Sequence, residues 1–122
     1  MNITHKQLRA FVADYLAWHK VEYPAAHDRI YQILNQHVLP LLGDRELRQV
    51  DELAVERYKA GRLQGERPPK AETLNKELRT INAVLERARR WKVIDANPVT
   101  DLPLVKILDS KPPHFYTLEA LD

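Results

Sequence analysis

The chain has 122 residues, 44% apolar and 30% charged, which suits one compact domain and is short for two. It has no cysteine, which excludes disulfide staples and thiolate metal sites, and its three glycines and lack of β-branched alternation argue against a β-rich fold. The net charge of +2 is unevenly spread: residues 57–92 carry eleven Lys/Arg against four Asp/Glu, and the remainder eight against thirteen. A basic segment in an otherwise acidic chain is the footprint of an anionic partner, and equally the charge of a solvated helix face.

The first helix is expected to start at Thr4, where "THKQ" fits a capping box with Gln7 reaching back. Leu8, Phe11, Val12, Tyr15 and Leu16 recur at helical spacing, and the helix fades near His19 or Lys20. Pro24 suits the first turn of a second helix. Its apolar stripe is Ile30, Ile33, Leu34 and Val38, with Asp28, Gln32, Asn35 and Gln36 on the other side. Pro40 and Gly43 close it. Asp51 is the N-cap of a third helix that carries Leu53, Val55 and Tyr58 and runs out at Gly61 or Gly65. The loop "QGERPPK" follows.

The fourth helix is predicted from about residue 69 to 92. Leu74, Leu78, Ile81, Leu85 and Ala88 step by four, three, four and three, so they share one narrow face. The opposite face holds Lys76, Arg79, Ala83, Arg87 and Arg90, with Thr80 at its border. After it, "VIDANP" tucks Val93 and Ile94 toward the core, and Pro98 biases Asn97 toward an extended backbone. Residues 99–116 read as an extended linker. "TLEALD" reads as the capped start of a further helix, with Thr117 as N-cap and Glu119 in its first turn.

Little else carries chemistry. The glycines are isolated, so no phosphate-binding loop is expected. His5, His19, His27, His37 and His114 lack the spacing of a metal site. Ser110, the one serine, has no activating partner. No cofactor, metal or catalytic residue is expected within these residues. The start has no signal-peptide core, and "VLPLL" is far too short to span a bilayer, so the expected location is the cytoplasm.

Taken together, these segments resemble the core-binding, SAM-like domain of the tyrosine recombinases, the phage integrase family. "VLPLLGDRELRQVDELAVERYKAG" is similar to that family's helix end, Leu-Gly turn and following helix. "KAETLNKELRTINAVLERARRWKVIDANPV" is similar to its last long helix, from Thr-x-Asn through the apolar stripe to an aromatic, a hydrophobic pair and Asn-Pro. "KPPHFYTLEALD" looks like the interdomain linker and the Leu-Thr-x-x-Glu opening of the catalytic domain, with Tyr116 replacing the usual Leu.

The resemblance implies an all-α fold: a compact bundle of four main helices followed by an extended linker. It implies a DNA-binding domain over residues 1–98, a linker over 99–116 and the first residues of a truncated catalytic domain over 117–122. It implies that Trp91 is structural. The family's tyrosine nucleophile and its arginine, lysine and histidine helpers belong to that catalytic domain, and none of the five tyrosines here matches the nucleophile. The fragment itself is therefore expected not to be an enzyme, its parent being a recombinase that breaks and rejoins DNA.

The implied partners are double-stranded DNA, the catalytic domain of the same parent chain and other integrase protomers at synapsis. The implied DNA-facing residues are His27 and Arg29 on the second helix, and Lys70, Thr73, Lys76, Arg79 and Thr80 on the fourth. Arg87 and Arg90 lie further along the same ridge. Asn75 matches the family pattern but lies off the basic face, where a structural hydrogen bond is an equal reading. Arg57, Lys59, Arg62 and Arg67 could add diffuse attraction. Two rivals remain at this point: a helical protein-interaction module with a solvated basic face, and a helix-turn-helix regulator, for which no short helix pair stands out.

Overall fold

The structure, a computed structural model, describes residues 6–106. The chain forms α1 (Leu8–Glu22), α2 (His27–Gln32), a π-helical segment (Ile33–Val38), α3 (Leu39–Leu42), a 3-10 turn (Leu47–Gln49), α4 (Glu52–Leu63) and α5 (Ala71–Arg90). From His27 to Leu42 the three pieces run on without a break, so the architecture is a bundle of four main helices. No strand forms among the described residues beyond one bridge pair, Gln7 with Glu46.

The expected start of α1 at Thr4 is corrected. The helix begins at Leu8, with Gln7 in extended backbone before it and no side-chain cap; Thr4 lies outside the described residues. Its first N–H groups are satisfied by another part of the chain. Leu8 N donates to the Arg45 carbonyl (2.8 Å) and Arg9 N to that of Gly43 (2.9 Å), while Leu47 N donates to Lys6 (2.9 Å). The turn after α3 therefore does the work that a capping box would do.

Pro24 also differs from expectation. It precedes α2 rather than entering it: Ala26 N bonds the Tyr23 carbonyl (3.1 Å), so Pro24 takes the second position of a tight turn, where its fixed φ fits. The π-helical widening has a local cause in Pro40. Proline has no N–H to give, and its ring crowds the carbonyl four residues back. The Leu39 N–H reaches back five residues to Leu34, which opens the helix one residue ahead of the proline.

Asp51 caps α4 as expected, its Oδ1 accepting from Ala54 N at 2.9 Å. Val55 and Tyr58 enter the core, but Leu53 does not; it is 57% exposed and Ala54 is buried instead. The α5 stripe is buried as read: Leu74, Leu78, Ile81, Leu85 and Ala88 are all at most 1% exposed, joined by Val84. They pack with Phe11, Val12, Leu34 and Val38 in one cluster. At about 1.5–3 kcal/mol per buried large side chain, this cluster dominates the stability of the bundle.

The end of α5 explains "RRWKVI". Lys92 N donates to Arg89 O (3.0 Å) and Val93 N to Ala88 O (2.9 Å), with Lys92 at φ 62. This is a Schellman end, with lysine where glycine is usual. It throws Val93 and Ile94 back onto the core. Asn97 then turns the chain: its Nδ2 donates to Asn82 Oδ1 and its Oδ1 accepts from Val99 N, both at 2.9 Å. The chain that follows stays on the bundle. Val99 is buried, Lys59 Nζ donates to the Pro103 carbonyl (3.0 Å), and Asn75 pairs with the Val105 backbone in both directions (2.9 and 2.6 Å). Residues 107–122, including Thr117 and Glu119, lie outside the described residues.

Candidate nucleic-acid interface

Two helices bring the predicted residues together. An open groove of about 510 Å³ runs between the 27–42 rod and the first half of α5, lined by Arg29, Gln32, Gln36, Thr73, Lys76 and Glu77, with Asp28 and His37 at its edges. Arg29, Thr73 and Lys76 are exposed, as is Arg79 one turn further along α5. None of the three cations forms an ion pair among the described residues. Lys70, also exposed, is the N-cap residue of α5 but makes no side-chain cap. On the same rod as Arg29 and across from Lys76, two one-turn-spaced amides, Gln32 and Gln36, offer both donors and acceptors.

Glu77 is the residue that the sequence reading passed over. It is 1% exposed, yet charged. Arg62 holds it through two bonds, Nε to Oε1 (2.8 Å) and Nη2 to Oε2 (2.7 Å), and the Tyr58 hydroxyl donates to Oε1 (2.7 Å). Burial alone pushes the Glu77 carboxyl up, but the bonds from Arg62 and Tyr58 outweigh it and hold it below the usual carboxylate range. The same site pushes the Tyr58 hydroxyl far up, through burial first and then its bond to Glu77. The carboxylate in the groove wall is thus already neutralised by its own partners. A signal was present: position 77 falls three residues after Leu74 and four before Ile81, on the apolar face.

Other expected residues stand elsewhere. Thr80 is 5% exposed and its hydroxyl donates to the Lys76 carbonyl (2.8 Å), so it faces inward with its donor spent. His27 opens α2 half-buried, its ring 5.8 Å from His19 and 5.9 Å from Tyr31. The Arg87 guanidinium lies 4.2 Å over the Trp18 ring and 5.8 Å from Trp91. Trp91 makes edge contacts with Phe11 (5.6 Å) and Trp18 (5.7 Å). Of the outlying cations, Arg62 is held by Glu77, and Lys59 by Glu56 (3.2 Å) and Pro103, while Arg89 pairs with Glu86. Asn75 is spent on the Val105 backbone, which selects the structural reading over the DNA-facing one.

The solution structure of an integrase-like domain from Bacillus cereus is similar to this chain, with a TM-score of 0.73 over 96% of this chain and 100% of that one. The chain has the fold of an integrase-like domain. Sequence identity between the two is 20%, so the likeness is one of fold. No protein-family model and no curated protein matches the sequence. No helix among the described residues is long and apolar enough to cross a membrane.

On this integrase-like fold the groove gathers Arg29 and Lys76 from two different helices across a gap. Thr73, Gln32 and Gln36 stand beside these cations as neutral donors and acceptors.

Proposed function

We propose that this chain is the core-binding domain of a tyrosine recombinase and grips duplex DNA at a recombination core site. The observation that carries the reading is the convergence of Arg29, Thr73 and Lys76 on one groove, with Arg79 on the next turn and the wall carboxylate Glu77 already paired. The integrase-like fold and the family resemblance of the α5 segment support it. Lys and Arg supply affinity by displacing counterions at phosphates, and the amides and Thr73 contribute what base preference there is. Lys70 and Arg79 extend the phosphate track at either end of the groove. His27, Thr80 and Arg87 act behind this surface rather than at it. Residues 1–98 form the DNA-binding body, with the linker and catalytic domain of the parent beyond it. The parent's catalytic domain closes the grip from the other side, and other protomers join at synapsis.

Duplex binding across a salt series tests this. The expected result is affinity that falls steeply with salt and a Lys76→Ala/Arg79→Ala variant whose log–log slope is shallower by roughly two. Indifference to duplex at low salt would leave the protein-interaction reading, for which the exposed Leu41, Leu53 and Leu63 are the surface to probe.

A further inference from the structure

A second concavity lies beside the groove, and nothing above uses it. It encloses about 280 Å³ and is lined by Tyr15, Trp18, His19, Tyr23, Ala83 and Arg87, with Ala26 at its edge. Three of its walls are aromatic rings. Tyr15 and Trp18 have centroids 5.6 Å apart, Trp18 and Tyr23 5.8 Å, and His19 and Tyr23 5.2 Å. Ala26 and Ala83 keep it open by being small. Arg87 brings a cation that makes no ion pair among the described residues and covers Trp18. Inside, His19 is 6% exposed and its Nδ1 has no hydrogen-bond partner, nor does the buried Nδ1 of His27 beside it.

A lining of aromatic rings beside a guanidinium that has no carboxylate partner among the described residues suits a planar ring with an attached anion. A nucleobase with its phosphate has that form. The location fits as well. Ala83 and Arg87 continue the face of α5 that bears Lys76 and Arg79, and Arg87 lies about 16 Å beyond Lys76 along the helix at 1.5 Å per residue.

We propose that this pocket binds an unpaired nucleotide, its base packed against the aromatic rings and its phosphate on Arg87. A strand leaving the duplex along the α5 ridge reaches it, so the inference rests on the DNA reading for its route, though not for its chemistry. Tyr23, half-exposed, closes over the base.

The test uses the whole chain and three probes: a blunt duplex, the same duplex with an unpaired four-thymidine overhang, and thymidine 5′-monophosphate alone. Trp18 and Trp91, the two tryptophans, report through their fluorescence. The overhang duplex is expected to bind about tenfold tighter than the blunt one and to quench emission, and the mononucleotide to quench at higher concentration. Ala83→Leu fills the pocket at an exposed helix position without changing charge, and abolishes both effects while leaving blunt-duplex affinity unchanged. Tyr23→Ser weakens the overhang preference and Tyr23→Phe retains it. Equal binding of the two duplexes, with no quenching by the mononucleotide, overturns the proposal. Failure of both duplexes to bind counts against the DNA reading alone, and the mononucleotide then decides the pocket. An Ala83→Leu variant that sediments differently without nucleic acid would mean the pocket receives a second copy of this chain, which also overturns it.

Discussion

Lys92 holds a left-handed backbone conformation, φ 62, which disfavours any residue with a Cβ. The strain persists because the turn it makes returns Val93 and Ile94 to the core. Lys92→Gly is expected to raise stability by up to about 1 kcal/mol in urea denaturation, since relief of strain exceeds the added unfolded-state entropy. Glu77 makes the opposite case, a charge that is stable only while its partners remain. Glu77→Gln leaves Arg62 without its counter-charge and should cost about 3 kcal/mol in the same assay. The pH dependence follows from the sign of the shift. The Glu77 carboxyl is held below its unfolded value, so its contribution is full above about pH 4.3 and is lost as pH falls through the lower, folded value. Glu77→Gln should flatten that acid limb. His19 is also shifted down, by burial and then by His27, so protonating it opposes folding as pH falls below about 6.5.

At the scale of elements, the joints between helices carry as much information as the helices. Gly43 is one such joint. A Cβ there would meet the Leu39 carbonyl at 2.6 Å and the Arg9 guanidinium at 2.7 Å, while the Gly43 carbonyl itself receives the Arg9 N–H. The arginine can swing away but the backbone carbonyl cannot, so Gly43→Ala should cost about 1–3 kcal/mol, read as a lower denaturation midpoint with an unchanged m-value. Periodicity made α5 and the Asp51 cap of α4 legible, because both are local: one stripe, one side chain on its own helix. The start of α1 was not legible, because its N–H groups bond carbonyls some thirty-five residues away. Leu53 misled for the same reason, since helical spacing cannot tell which edge of a stripe meets a neighbour. At the groove, Lys76 and Arg79 were readable as an exposed polar face, while Arg29 and Thr73 came only from the family resemblance. The inward turn of Thr80, the pairing of Glu77 and the stacking of Arg87 on Trp18 depended on contacts between helices that spacing does not encode.

For the whole molecule, the bundle presents two unlike features along one helix. The first half of α5, with the 27–42 rod, makes a polar groove with unpaired cations, and the second half, with α1, makes an aromatic pocket. Both rest on the same buried stripe, so the rigidity of the core fixes the distance between them. Chain segments beyond the helices are also tied in: Asn75 and Lys59 hold residues 103–105 against the bundle. The central claim is that the α2–α5 groove is the surface that meets duplex DNA. Titrating the isotope-labelled protein with a short duplex, and following its backbone amide NMR signals at low salt, tests this most directly. The account predicts that the largest shifts fall on Arg29, Gln32, Thr73, Lys76 and Arg79, and fade as salt is added. Shifts centred on Leu41, Leu53 and Leu63, or none at all, would contradict it.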